Sequence, residues 1–327
     1  MYYHCTTPAT GSQAVVYRII AGGVTINDQT AGFRPTPEAV NCLRRLDSIL
    51  TAGSVRALAA EELAELRQGW SGLLQQAGMG MEVDAYESFV AQLRQAGVML
   101  PPDMLGRLEW FLYRDDYNRI TAGPFNGQRQ RQAIFHDISA SCSFRAVVET
   151  GTYRGDSTAV LAEETGAPVF SAEIDPRSLA YARLRYADDE RIFFSQQDSR
   201  LFLRDLARHP FFPRQQVFFY LDAHWGEDLP LYEEIKLIVD SWQESVIMID
   251  DFQVAGDEGY GYDDYGAGRA LSLPYLHLEK LPPLGLYWPA ASAAEETGFR
   301  RGCLVLATGR VAAGKLDAIK TLRPVQQ

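Results

Sequence analysis

The chain has 327 residues, 46% of them hydrophobic, which is enough for two domains and a sizeable core. Its 31 basic against 42 acidic residues give a formal charge of −11 and a pI near 5.0, which argues against the basic face that a nucleic-acid partner requires. Cys5, Cys42, Cys142 and Cys303 stand apart with no C-x-x-C pair, so neither a zinc knuckle nor a disulfide framework is indicated.

The opening stretch, MYYHCTTPATGSQAVVYRII, lacks a basic n-region followed by an uninterrupted apolar core. No segment approaches the ~18 apolar residues of a membrane helix, so a cytoplasmic location without a membrane partner is expected. Residues 13–27, QAVVYRIIAGGVTIN, alternate and break at Gly22 and Gly23, which predicts a short hairpin. Thr36 and Pro37 mark a helix start, with Leu43, Leu46 and Leu50 following at helical spacing. Leu63, Leu66, Trp70 and Leu73 form a second apolar stripe. Phe89, Leu93 and Val98 form a third, which stops at Pro101 and Pro102, and residues 105–113 add another helix. These stripes are core faces. Residues 1–120 therefore read as a mostly helical N-terminal domain without chemistry of its own, suited to dimerise as a homodimer, to close a site or to recognise a substrate.

After the loop at Gly123, Pro124, Phe125, Asn126 and Gly127 the rhythm changes. A helix over about 128–139 precedes RAVVETG, PVFSAEID, RIFFSQQD, QVFFYLDAH and ESVIMIDDF, and helical segments separate these runs. Such alternation predicts a parallel sheet covered on both faces. Residues 282–288 and 302–307 add two strands, giving about seven in a domain of residues 121–327.

Each of the five strands ends in an acid: Glu149, Glu173, Asp198, Asp222 and the pair Asp250 and Asp251, at intervals of 24, 25, 24 and 28 residues. Ligands of open α/β sheets bind outside the carboxyl ends of the strands, so these acids converge on one crevice. Any one of them could cap the next helix, but five in register repel unless a ligand or metal balances them. In VVETGTYRGDST (147–158) the glycines, Gly151 and Gly155, lie four apart. The dinucleotide pattern G-x-G-x-x-G and the lysine of a phosphate loop are both missing. Glu149, two residues before the first glycine, suits a cationic ligand. Glu173 stands where an acid accepts from both hydroxyls of a ribose, and Asp198 where one accepts from an exocyclic adenine amine. A ligand with those parts and a positive charge is S-adenosylmethionine.

Over about residues 128–310 the chain resembles the class I S-adenosylmethionine-dependent methyltransferases. ETGTYRG resembles the first motif of that family, AEID its ribose acid and QQDS its adenine-edge acid. The resemblance implies an α/β, Rossmann-like seven-stranded sheet of order 3-2-1-4-5-7-6, its seventh strand antiparallel, preceded here by the helical N-terminal domain. It implies cofactor contacts at Glu149, Thr150, Gly151, Tyr153, Gly155, Ser157, Glu173, Asp198 and Ser199. In metal-dependent members, such as the catechol and macrolide-sugar O-methyltransferases, an acid ending the fourth strand and an acidic or amide pair ending the fifth hold magnesium. Asp222, Asp250 and Asp251 match those places, and oxygen-only ligands suit Mg²⁺. The catechol enzymes carry a lysine three residues after the first acid, where this chain has Trp225, so His224, beside Asp222, is the candidate catalytic base. The run GDEGYGYDDYGAGRALSLPYL, with Tyr260, Tyr262 and Tyr265, reads as a lid over the acceptor. The expected activity is S-adenosylmethionine- and Mg²⁺-dependent methylation of a hydroxyl on a small molecule, sugar or natural product. The alternatives are a cephalosporin-hydroxylase-like or NAD-linked enzyme on the same sheet, which the missing G-x-G-x-x-G and the lack of a 2-His-1-carboxylate triad oppose, and a non-catalytic binding module.

Overall fold

A computed structural model describes residues 36–53, 58–121, 123–224 and 228–325, together with the strand segments 16–18 and 25–27. Cys5, Gly22, Gly23 and Trp225 lie outside the described residues. The chain divides into two compact units, residues 1–113 and 114–327.

In the first unit β1 (Val16–Arg18) pairs antiparallel with β2 (Thr25–Asn27). The helices α1 (Pro37–Gly53), α2 (Ala60–Gln76), α3 (Val83–Gln95) and α4 (Pro102–Ile120) follow, the last running on past residue 113. Thr36 caps α1 through its hydroxyl, which accepts from the Ala39 N–H at 3.2 Å. Leu43, Leu46, Leu50, Leu66, Trp70, Leu73, Phe89 and Leu93 are all buried, as the 3.6-residue period predicts. Polar groups in this core are satisfied in pairs: Trp70 Nε1 donates to Tyr113 at 2.8 Å, and the Tyr86 hydroxyl donates to Glu109 at 2.9 Å.

The second unit begins its regular structure with α5 (Arg129–Ser141) and continues β3 (Ala146–Thr150), α6 (Thr158–Thr165), β4 (Val169–Glu173), α7 (Pro176–Arg185), β5 (Ile192–Gln196), α8 (Ser199–Arg208) and β6 (Val217–Leu221). Then come α9 (Leu231–Ser241), β7 (Val246–Ile249), β8 (Leu284–Pro289), β9 (Leu304–Thr308), α10 (Arg310–Leu316) and β10 (Leu322–Pro324). The sheet order is β10-β8-β9-β7-β6-β3-β4-β5. Strands β3 to β7 are parallel, whereas β9 runs antiparallel to both β7 and β8. Counted from β3, this is 3-2-1-4-5-7-6 with one strand more. The sequence suggests about seven strands; β10, three residues paired to β8, makes eight. It is too short for an apolar period to reveal it.

Both faces of the sheet are covered, which is why the central strands are continuous apolar runs. Phe202, Leu203, Ile235 and Ile238 of α8 and α9 pack on one face, and Ile134, Phe135, Leu161 and Leu316 of α5, α6 and α10 on the other. Thr150 lies level with Leu221, and Leu221 with Ile249, so β3, β6 and β7 end flush. Among the described residues no helix is long and apolar enough to cross a membrane.

Candidate active site

The carboxyl ends of these strands carry the acids, and the way each acid is bonded separates them. After β3 the chain turns at Gly151, whose φ of 84° is left-handed. A Cβ there would lie 2.2 Å from the Asp222 carbonyl oxygen, so only glycine lets the two strand ends approach this closely. Gly155, at φ 80°, is similarly pressed against Tyr186, whose hydroxyl donates to the Gly155 carbonyl at 2.6 Å.

Strand alternation puts Glu149 on the α5/α6 face. It is 1% exposed, and its Oε2 accepts from Thr158 (2.7 Å) and Ser171 (2.5 Å). Burial pushes its carboxyl up to about 7 against those two hydrogen bonds. The Glu149 side chain is turned inward beneath the loop, held by those two hydroxyls. Ser157 is likewise used internally, its oxygen accepting from the Phe125 N–H at 3.0 Å. Tyr153, at φ 50° and half exposed, donates its N–H to Glu173 Oε2 at 2.7 Å, while Glu173 Oε1 accepts from the Asp175 N–H at 2.9 Å. Each Glu173 oxygen retains acceptor capacity, and burial raises its pKa. Asp198 caps α8, accepting from the Arg200 and Leu201 N–H groups, and also pairs with the Arg200 guanidinium at 2.7 Å, which holds its carboxyl below the usual range. Thr150 and Ser199 point to the α9 side, where they meet Glu234, a 2% exposed acid that sequence reading missed. Burial pushes Glu234 to about 7; the two hydroxyls oppose this, yet Thr150 Oγ1 and Glu234 Oε1 find no partner at good hydrogen-bond geometry.

At the ends of β6 and β7 the bonding differs. Asp222 and Asp250 continue the ladder through N–H donation to Thr150 O (2.9 Å) and Leu221 O (3.0 Å). Asp250 then points to the α5 face, where Arg131 and the Tyr220 hydroxyl engage its two oxygens. Asp250 is fully buried with both oxygens engaged, and the sequence-suggested metal set comes together here as Asp222, His224 and Asp251 without it. The next residue, Asp251, takes a left-handed φ of 52°, which breaks the alternation and brings its carboxylate back towards Asp222. One ligand atom from each of Asp222, His224 and Asp251 lies within 4.8 Å of the others. His224 is 2% exposed, and its Nε2, without a hydrogen-bond partner, sits 3.5 Å from Asp222 Oδ1. Asp222 keeps 29% of its side-chain surface but is otherwise enclosed; burial first and Asp251 second push its carboxyl well above the usual range. Burial moves His224 the other way, below its ordinary value, although Asp251 and Asp263 oppose the shift.

Two arginines stand among these acids. Arg131, from α5, is 1% exposed and also donates to the Gly302 carbonyl at 2.8 Å. Arg301 pairs its Nε with Asp251 Oδ1 at 2.9 Å and a terminal nitrogen with Asp263. Arg131 thus pairs with Asp250, and Arg301 with Asp251 and Asp263, while Asp222 has no guanidinium among these pairs.

Comparison of the sequence with protein-family models and with curated proteins found no match. Among solved structures, the chain is similar to an O-methyltransferase from Bacillus cereus in complex with SAH, at 15% identity and a TM-score of 0.41, covering 54% of this chain and 80% of that one. It is similar to the cofactor-bound Rv0187 from MTB at 21% identity and a TM-score of 0.39, covering 54% and 79%. An rRNA methylase from Streptococcus thermophilus gives 19% identity and a TM-score of 0.35, covering 54% and 94%. At these levels the similarities add nothing to what the site's own residues say.

The loop expected to act as a lid is pinned in place. Tyr260 is a core residue, 3% exposed, whose hydroxyl donates to Ala291 O at 3.1 Å, so it does not stack on an acceptor. Tyr265 reaches both the Asp263 carboxylate and the His224 carbonyl, and Tyr262 is half-buried. A cavity of about 380 Å³ lined by Arg145, Phe170 and Phe211 opens at the amino ends of β3 and β4, the opposite end from the acids.

Proposed function

We propose that the chain is an S-adenosylmethionine-dependent O-methyltransferase whose acceptor hydroxyl is activated with the help of a divalent cation. The observation that carries this reading is the contact of Gly151 with the Asp222 carbonyl, which gives the glycine loop and the acid cluster a common wall. A cofactor held by the loop and an acceptor held by the cluster would then meet across it.

Each chain residue has a part. Glu173 keeps acceptor capacity on both oxygens for a ribose diol while its backbone partners fix its direction. Gly151 and Gly155 let the loop close onto the Asp222 backbone and the Tyr186 ring, which fixes its shape beside the acids. Asp198 acts through the start of α8, which it holds at the expected adenine edge.

Asp222, Asp251 and His224 offer two oxygens and a nitrogen, a donor set that suits a divalent cation. A divalent ion bound there would supply Lewis-acid charge that lowers the pKa of the acceptor hydroxyl. The reaction is attack of the acceptor oxygen on the sulfonium methyl carbon; the C–O bond forms as the C–S bond breaks, a neutral thioether leaves, and the hydroxyl proton passes to solvent water. Positioning the two reactants supplies roughly 7–11 kcal/mol of the barrier, so the chain needs little further acid–base work. The acidic surface and the compact cluster favour a small molecule, sugar or natural product as acceptor over a nucleic acid.

The test is transfer of isotopically labelled methyl from S-adenosylmethionine to a panel of phenols, sugars and peptide hydroxyls, with and without chelator. Labelled ether products that disappear on chelation are expected. Label on nitrogen acceptors alone, or transfer indifferent to chelator, overturns the reading.

A further inference from the structure

We propose that His224 is a metal ligand and not the acceptor's base, so that the site takes an imidazole-accepting ion of the Mn²⁺ class in preference to Mg²⁺; this rests on the reading above that a cation occupies the ends of β6 and β7. Three observations carry it. Asp250, the acid that an oxygen-only site would use, is fully buried against Arg131 and Tyr220. Among the described residues, the donors that come within 4.8 Å of one another are Asp222, Asp251 and the His224 ring.

The second observation is independent of the acids. His224 Nε2 is buried, has no hydrogen-bond partner, and faces Asp222 Oδ1 at 3.5 Å. Buried polar atoms are nearly always satisfied, and one left open beside two carboxylates is what a ligand awaiting its ion leaves behind. A base has to reach the proton that it takes, whereas this ring is 2% exposed with its open nitrogen turned to Asp222.

The third is the match of scale. For bonds of about 2.1 Å, adjacent donors on one ion stand roughly 3 Å apart and opposite ones roughly 4.2 Å; His224 Nε2 and Asp222 Oδ1 are 3.5 Å apart and all three donors lie within 4.8 Å of one another. Arg301 holds Asp251 through Oδ1 and leaves Oδ2 to the ion. Imidazole suits transition ions, whereas Mg²⁺ prefers an all-oxygen, largely hydrated shell; Mn²⁺ accepts both donor types.

The experiment titrates Mn²⁺ and Mg²⁺ into the full chain by calorimetry and reads pulsed electron paramagnetic resonance of bound Mn²⁺ for coupling to a directly ligated ¹⁴N. The wild type is expected to bind Mn²⁺ at least about tenfold more tightly than Mg²⁺ and to show the nitrogen coupling. His224→Gln should lose the coupling and about tenfold or more in Mn²⁺ affinity while binding S-adenosylmethionine unchanged, which also checks its fold. Mn²⁺ bound without nitrogen coupling in the wild type overturns the proposal and leaves the cation-assisted reading standing. Binding of neither ion overturns both, while S-adenosylmethionine binding would remain to be judged separately.

Discussion

The acids at the ends of β3, β4 and β5 and those at the ends of β6 and β7 occupy equivalent places in one sheet, yet the protein has used them differently. Glu149, Glu173 and Asp198 already accept hydrogen bonds from hydroxyls, backbone N–H groups and a guanidinium. Asp222 and His224 share a cluster in which the imidazole nitrogen lies 3.5 Å from an Asp222 oxygen without making a hydrogen bond. The first group shapes a cradle: its carboxylates fix the loop and the helix starts, and Glu173, bonded to backbone N–H groups alone, is the one proposed to meet a ligand. The second group is the one that, in the proposed reading, takes a cation. Asp250 shows that position alone does not decide, because it sits one residue from Asp251 and belongs to the core.

Substitutions across this divide should break it in different currencies. Asp222→Asn is expected to lower turnover by about 10⁴-fold, about 5 kcal/mol of barrier, while changing S-adenosylmethionine affinity little; steady-state rates and calorimetry together check it. Asp250→Ala should act on folding instead, costing about 3–5 kcal/mol because Arg131 is left as an uncompensated buried charge, and denaturant midpoints measure it. Should Asp250→Ala prove stable and merely weaken metal binding, the separation of Asp250 from Asp251 is wrong.

Smaller effects sharpen the cofactor side. Glu173→Ala should weaken S-adenosylmethionine by about 2 kcal/mol, roughly 30-fold, without altering divalent-ion affinity. Glu234 tests burial without ligand chemistry. Its folded pKa of about 7 lies above the ordinary 4.5, so its contribution to stability is complete below pH 4.5 and is lost as pH rises through 7. Between pH 6 and 8 the wild type should lose about 1 kcal/mol more stability than Glu234→Gln, read from parallel melting curves. Parallel curves without that divergence would mean that Glu234 is solvated.

Much of this fold is legible in the residues. The apolar runs before each acid and the βα spacing lead to the parallel strands and to acids that end flush, because strand period and loop length are local properties. What is not legible is how the acids are satisfied. Arg131 and Arg301 come from α5 and from the segment before β9, far from the acids in sequence, and nothing in their neighbours marks them as counter-ions. The outward turn of Asp251 depends on a single left-handed residue that no side-chain pattern announces. Glu234 sits in the helical pattern of α9 as any surface glutamate would, and only the ends of β3 and α8 packing over it make it buried. Tyr260 was placed on a lid by composition, but its ring belongs to the core.

The central claim is that the glycine-loop end binds S-adenosylmethionine by itself and the acid cluster binds the cation by itself. Titration calorimetry of S-adenosylmethionine into chelator-treated wild type tests this most directly, with NAD as the competing ligand. A one-to-one S-adenosylmethionine isotherm in the micromolar range, unchanged when Mn²⁺ or Mg²⁺ is restored, with no heat from NAD, is the expected result. An absence of S-adenosylmethionine binding, or an NAD isotherm in its place, contradicts it.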